Sequence, residues 1–218
     1  MTEHKAWAWE LVTDELWLRP SEESYYLLER WKAQGKRDFL DLGCGLGRHS
    51  LQFSRAGFLV SAFDLSEEGL RRLGETAKAE GLAIDRRQGD MTALPYPDSS
   101  FDCLLAFHVI SHTDTPGIKK TIAEIARVLR PEGEFYLTLC SKSGRGFREA
   151  GFPVIDENTV RKVEDGPEDG IPHFFADPDC IRDIFSGLRI LDLRHEQQLV
   201  VDGEAYGSWH YFMLGAKG

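Results

Sequence analysis

The chain has 218 residues, 42% of them hydrophobic, 28% charged and 11% aromatic, which excludes a disordered chain and fits one α/β-sized domain with an elaborated end. Twenty-six basic against 36 acidic side chains leave a net charge of −10, which opposes attraction to polyphosphate and favours a small-molecule partner over nucleic acid. No stretch reaches the roughly 18 apolar residues of a membrane span. The first twenty residues lack the basic start and apolar run of a secretory signal, and Cys44, Cys103, Cys140 and Cys180 form no C-x-x-C pair, so reduced thiols in a cytoplasmic protein are expected.

In chain order, residues 1–36 read as a helical extension, with Tyr25, Leu27, Leu28 and Trp31 at mixed three and four spacing and a stop at Gly35. Asp38 to Leu42 is a short strand closed by glycines, and Leu51, Phe53 and Ala56 give a helix that stops at Gly57. Phe58 to Phe63 is a second strand, ended by Asp64, and Ser66 caps a helix carrying Leu70, Leu73 and Ala77. Ala83 to Gln88 is a weaker third strand, and Phe101 to Phe107 an apolar fourth. A helix with Ile118, Ile122, Ile125 and Leu129 runs to Pro131-Glu132-Gly133, ahead of a strand from Glu134 to Cys140. Strands alternating with helices predict an α/β fold, a parallel sheet covered on both faces. Residues 141–176 mix Gly, Pro and charge and read as a long loop. A helix near Pro178 to Ser186 and two strands, about 188–199 and 206–215, close the chain as a hairpin around Asp202-Gly203.

The strongest local signal is Asp41-Leu42-Gly43-Cys44-Gly45-Leu46-Gly47 between a strand and a helix, with Asp64 ending the next strand. Glycines let a ligand lie against bare backbone, and the helix N-terminus offers unpaired N–H groups to an anionic group. Asp64 stands where a carboxylate accepts both hydroxyls of a ribose. The dinucleotide fingerprint G-x-G-x-x-G needs Gly at 48, where this chain has Arg48, so a nicotinamide-dependent oxidoreductase is the weaker alternative. Cys44 reads as a small turn residue, because no His and acid partner stands beside it to make it a nucleophile.

Together with Phe63 to Ser66, Gly89-Asp90-Met91, Leu94 to Asp102 and Ala126 to Gly133, this run resembles the class I S-adenosylmethionine-dependent methyltransferases, small-molecule type. Five ordered motifs span about residues 38–140; their order is specific for the cofactor fold and says little about the methyl acceptor. The resemblance implies a Rossmann-like seven-stranded, mostly parallel sheet in the order 3-2-1-4-5-7-6, strand 7 antiparallel, with helices on both faces. One domain, 1–218, would comprise the extension or lid (1–36), the cofactor-binding core (37–140), a variable acceptor-side loop (141–176) and a C-terminal helix and hairpin (177–218).

It also implies site roles. Gly43, Cys44 and Gly45 pass beside the methionyl and ribose parts of S-adenosyl-L-methionine, and Asp64 binds the ribose. Leu65 packs on adenine, with Asp90 on its amino group and Met91 near the ring. Phe107 faces the cofactor from below, and Asp41 orients the amino group through water. Leu46 replaces the family's usual Thr or Ser, and Pro131-Glu132-Gly133 its usual Pro-Gly-Gly; neither change removes a needed donor. Phe107-His108-Val109-Ile110 stands where an Asn/Asp-Pro-Pro-Tyr/Phe motif would mark methylation of nucleic-acid bases.

His108 and His112 lie just past the fourth strand, at the rim where such sheets present their ligand crevice. Their spacing allows both on one face of a helical turn, as a base and an orienting group, or as hydrogen-bonded structural histidines. No third ligand or H-E-x-x-H pattern is marked, so no metal is expected. His173, His210 and Trp17 resemble acceptor-side residues. Trp7, Trp9 and Trp17 either wall the sulfonium by cation–π attraction or pack as an aromatic face. Lys142, Arg145 and Arg148 either attract an acidic acceptor or form a solvated basic loop. The function expected is methyl transfer to a small molecule by in-line displacement, with S-adenosyl-L-homocysteine as product, by a monomer or homodimer. A non-catalytic S-adenosylmethionine-binding regulatory protein is the other alternative.

Overall fold

The computed structural model describes residues 5–12, 15–148, 150–201 and 204–218. Strand β1 (Asp38–Leu42) lies parallel between β2 (Leu59–Asp64) and β4 (Phe101–Ala106), with β3 (Ile84–Gln88) outside β2 and β5 (Leu129–Ser141) beside β4. On the far edge of β5, β10 (Glu204–Ala216) runs antiparallel and pairs with β9 (Arg189–Val201). The order β3-β2-β1-β4-β5-β10-β9, with β10 reversed, is the sheet the resemblance implies. Alternate residues of β1 serve the two faces: Phe39 joins Trp31, Phe53 and Phe58 on one side, while Leu40 and Leu42 join Leu104, Ile118, Ile122 and Phe135 on the other. Covering both faces explains why β1 and β4 read as near-continuous apolar runs.

The helices are α1 (Glu22–Ala33), α2 (Arg48–Arg55), α3 (Glu67–Ala79), α4 (Thr115–Val128), α5 (Arg145–Arg148) and α6 (Pro178–Ile184). Ser66 caps α3 as expected, accepting the Gly69 N–H at 3.2 Å. Asp114 and Asp177 do the same for α4 and α6, each with a proline in the first turn.

Three elements differ from the sequence reading. Before Pro20 the extension is two 3₁₀ turns, Trp9–Leu11 and Glu15–Leu18, rather than an α-helix; Trp7, Trp9 and Trp17 pack edge to face on one another with centroids 4.4–5.8 Å apart. Strand β5 starts at Leu129, because its register shifts opposite Phe101 and Cys103 and Glu132 takes φ +59°, a bulge that admits Pro131. The hairpin turn Asp202-Gly203 lies outside the described residues.

The third difference positions the site. Residues 141–176 hold β6 (Val154–Asp156), β7 (Thr159–Arg161) and β8 (Pro172–Ala176), an antiparallel trio whose last strand joins β5 at Cys140 and Ser141. Pairing of β4 with β5 ends at Ala106 and Leu137, while His210 of β10 already takes the other edge of Cys140. Strand β8 therefore occupies the edge that β4 vacates, above the C-terminal end of β4.

Candidate functional site

A cavity of about 330 Å³ opens at the C-terminal ends of β1, β2 and β4, where an open α/β sheet holds its ligand. Its floor is the glycine loop. Gly43 and Gly45 take φ of +70° and +53°, a backbone that side-chain-bearing residues rarely adopt, and a Cβ at Gly45 would fall 2.3 Å from the Trp9 ring. The Gly43 and Cys44 N–H groups bond the Phe63 carbonyl. Asp64 accepts the Gly45 N–H on one oxygen and the Ser66 N–H on the other, both at 2.7 Å. A carboxylate accepts about four such bonds, so acceptor capacity for a hydroxyl remains; burial, opposed by the N–H groups of Ser66, Gly45 and Leu65, raises the Asp64 carboxyl above its ordinary value.

Asp41 is buried beneath the loop, where it accepts the Ser50 hydroxyl at 2.6 Å and is pushed up to about 6 by burial. Leu65, Asp90, Met91 and Phe107 line the same cavity, and Asp90 accepts the Thr92 N–H at 2.9 Å. Burial raises the Cys44 thiol well above its usual value, against a role as nucleophile. The indole N–H groups of Trp7 and Trp9 are buried and have no hydrogen-bond partner among the described residues. Unspent donors over the loop and unspent acceptor capacity on Asp64 match the hydroxyls and carboxylate of an adenosyl amino acid.

The opposite wall is histidine-rich. His108 and His112 share no helical face, because residues 107–114 form bends and turns. His108 faces His210, ring centroids 4.7 Å apart, and His112 faces His173 at 4.8 Å. The His108 N–H bonds Thr138 Oγ1 at 2.7 Å. Burial pushes His108 well below the usual imidazole range, with His210 and Arg48 adding to it, and pushes His210 down to about 4 and His112 to about 3. These rings are neutral near pH 7. Trp17 also lines the cavity, stacked under the Arg48 guanidinium at 5.4 Å.

Sequence reasoning missed Glu168, Lys162 and Arg48 as cavity residues. Glu168 stands 3.7 Å from His112 Nε2 and 3.5 Å from His173 Nε2, and Lys162 pairs with it. In sequence Glu168 is one acid among several in a Gly- and Pro-rich run; the nearby His173 is the single local hint. Of the basic loop, Lys142 pairs with Asp177 at 2.7 Å, Arg145 reaches the cavity, and the side chain of Arg148 lies outside what is described.

Residues 39–133 match the methyltransferase domain family. A sterol 24-C-methyltransferase of Gibberella zeae is 32% identical over 120 residues, 53% of this chain and 30% of that protein. A ubiquinone biosynthesis O-methyltransferase of Parvibaculum lavamentivorans is 31% identical over 105 residues, 48% of this chain and 41% of that one. The chain thus spans less than half the length of these two relatives. Among solved structures, a SAM-dependent methyltransferase of Methanosarcina mazei superimposes with a TM-score of 0.70 at 21% identity, over 83% of this chain and 92% of that one, a likeness of fold. The domain match covers the glycine loop, Asp64 and Asp90 together, and over residues 39–133 the chain is similar to the S-adenosylmethionine-dependent methyltransferases.

Proposed function

We propose that the protein transfers a methyl group from S-adenosyl-L-methionine to a small-molecule acceptor by in-line displacement, leaving S-adenosyl-L-homocysteine. The observation that carries this reading is one cavity with two unlike ends, the glycine loop with Asp64 and Asp90 at one and His108, His112, His173 and His210 at the other. The two relatives are named for a sterol and for ubiquinone biosynthesis, and their acceptors support a small molecule here. The methyltransferase domain match over residues 39–133 weighs against the nicotinamide alternative.

The bound cofactor supplies an electrophilic sulfonium methyl, so the protein's task is alignment and exclusion of water, worth several kcal/mol through proximity. Asp64 holds the ribose hydroxyls, Leu65 and Met91 clasp the adenine, and Asp90 takes its amino group. The backbone of Gly43, Cys44 and Gly45 runs beside the methionyl part, with Asp41 behind it and Phe107 below. His108 and His112 are the groups set to orient the acceptor or take its proton, and Trp17, His173 and His210 shape its pocket.

Asp64→Ala is expected to weaken S-adenosylhomocysteine binding, measured by calorimetry, by at least about tenfold, the loss of one or two charge-assisted hydrogen bonds. Circular dichroism should stay unchanged. Full retention of affinity overturns the ribose assignment. A screen of small metabolites for labelled methyl transfer tests turnover, and tight cofactor binding without turnover on any acceptor favours the regulatory alternative.

A further inference from the structure

His173 sits on β8 with its side chain almost wholly buried. Its Nδ1 lies 3.1 Å from the Ile171 carbonyl oxygen, which can only accept, so Nδ1 carries the hydrogen and Nε2 is the ring atom left for a partner in the cavity. Nε2 of His173 lies 3.5 Å from Glu168 Oε2, and His112 Nε2 stands 3.7 Å from Glu168 Oε1. Two imidazoles and a carboxylate thus converge, all three ligand atoms within 4.8 Å of one another. Three side chains of metal-ligating type therefore meet at one wall of the cavity, with the Lys162 ammonium on the Glu168 carboxylate.

We propose that His112, Glu168 and His173 form a three-ligand site for a divalent first-row transition ion of the zinc class, with an open position turned to the acceptor end of the cavity. Metal–ligand bonds of roughly 2.0–2.2 Å place tetrahedral neighbours on the order of 3.4 Å apart; His173 Nε2 is 3.5 Å from one Glu168 oxygen and His112 Nε2 is 3.7 Å from the other, and one ligand atom from each residue makes a set within 4.8 Å, which a small carboxylate rotation contracts onto an ion. Two nitrogens and one carboxylate oxygen are the donor set of catalytic zinc sites, which keep a fourth position for a ligand. The carbonyl behind His173 is the usual outer partner that fixes a ligating ring.

The frame is tied on every side. Phe174 N–H bonds the Ser111 carbonyl at 2.8 Å, which joins β8 to the segment carrying His112. The turn carrying Glu168 is closed by the Ile171 N–H on the Glu168 carbonyl and the Gly170 N–H on the Lys162 carbonyl. Lys162 pairs with Glu168 and also with Glu164 at 2.8 Å, so its ammonium keeps a carboxylate when Glu168 turns to an ion. Ion binding is independent of methyl transfer. Only its use rests on that reading: an acceptor hydroxyl or thiol on the open position would be held as the anion, its proton released to water.

The test is a titration of the chelator-stripped full chain with Co(II), read by the visible absorption of a tetrahedral ion, with Zn(II) displacement to confirm the site. One ion per chain is expected. Glu168→Gln, His112→Ala and His173→Ala should each weaken binding by more than the roughly 10–100-fold that loss of an outer-shell partner costs. His195→Ala, on β9 outside the trio, should bind like the parent. Absence of a stoichiometric band in the parent, or a band that survives Glu168→Gln and His173→Ala, overturns the site and leaves a shared proton between histidine and glutamate. S-adenosylhomocysteine calorimetry on the same samples separates the two readings: cofactor binding without the cobalt band sinks the ion alone, and the converse sinks the methyltransferase assignment.

Discussion

His108 takes φ +55°, a left-handed backbone that costs a residue with a side chain about 1–3 kcal/mol and persists only where surrounding contacts impose it. Here the Thr138 hydroxyl receives its N–H at 2.7 Å, and the ring is wedged between Phe107 and His210. The strain aims the imidazole into the cavity from the end of β4. Because burial holds the ring well below the usual imidazole range, it is a weak base, and its contribution belongs at or below the low end of the 10²–10⁴-fold of general base catalysis. His108→Ala is therefore expected to slow turnover of the true acceptor by roughly 10–100-fold while S-adenosylhomocysteine affinity stays within about twofold; equal loss in both would reduce His108 to scaffold. The loop glycines and Asp64 were legible because a local spacing carries them. Glu168 was not, since an acid in a turn has no periodicity, and its partner His112 is distant in sequence and reached only through the pairing of β8.

Helix α1 is fastened to the sheet at one carboxylate. Glu134, inside β5, accepts Trp31 Nε1 at 2.9 Å, Arg30 Nε and Nη2 at 2.9 and 2.8 Å, and Gln34 Nε2 at 3.1 Å. Removing it leaves a buried indole donor and a half-buried guanidinium without their acceptor, so Glu134→Ala should cost about 2–4 kcal/mol. Urea unfolding checks this, and a loss under about 0.5 kcal/mol, the scatter of ordinary surface changes, would mean α1 is held by Trp31 packing alone. Helix α1 itself could be read from Leu27, Leu28 and Trp31, but its docking partner could not, because Glu134 looks like an ordinary strand-start acid. Strands β6 and β7 were hidden for a related reason: three residues each cannot show alternation, and what makes them strands is pairing of β7 with β8 and of β6 with β7, outward from a β5 edge that exists only after β4 ends.

Across the molecule, buried ionisable groups at the cavity set opposing responses to pH. His49 and His108 are held neutral, His49 by burial and by Arg48 while its Nε2 accepts the Ser21 N–H at the start of α1. Below about pH 6.5 the unfolded chain takes protons there that the fold refuses, so stability falls as the solution is acidified. Asp41 acts in reverse. Its folded value of about 6 lies above the ordinary 3.8, so its contribution is fully present below about pH 4 and lost as pH rises through 6. At pH 7 the ionised, buried carboxylate costs on the order of 2–3 kcal/mol. Asn in its place keeps an acceptor for Ser50 and carries no charge. Asp41→Asn should therefore be more stable than the parent at pH 7 in urea unfolding without cofactor, with the advantage shrinking to nothing near pH 4 and the variant losing stability more steeply on acidification. A difference that stays constant with pH would show that Asp41 does not ionise beneath the glycine loop, and a variant less stable at pH 7 would show that its charge holds the loop together.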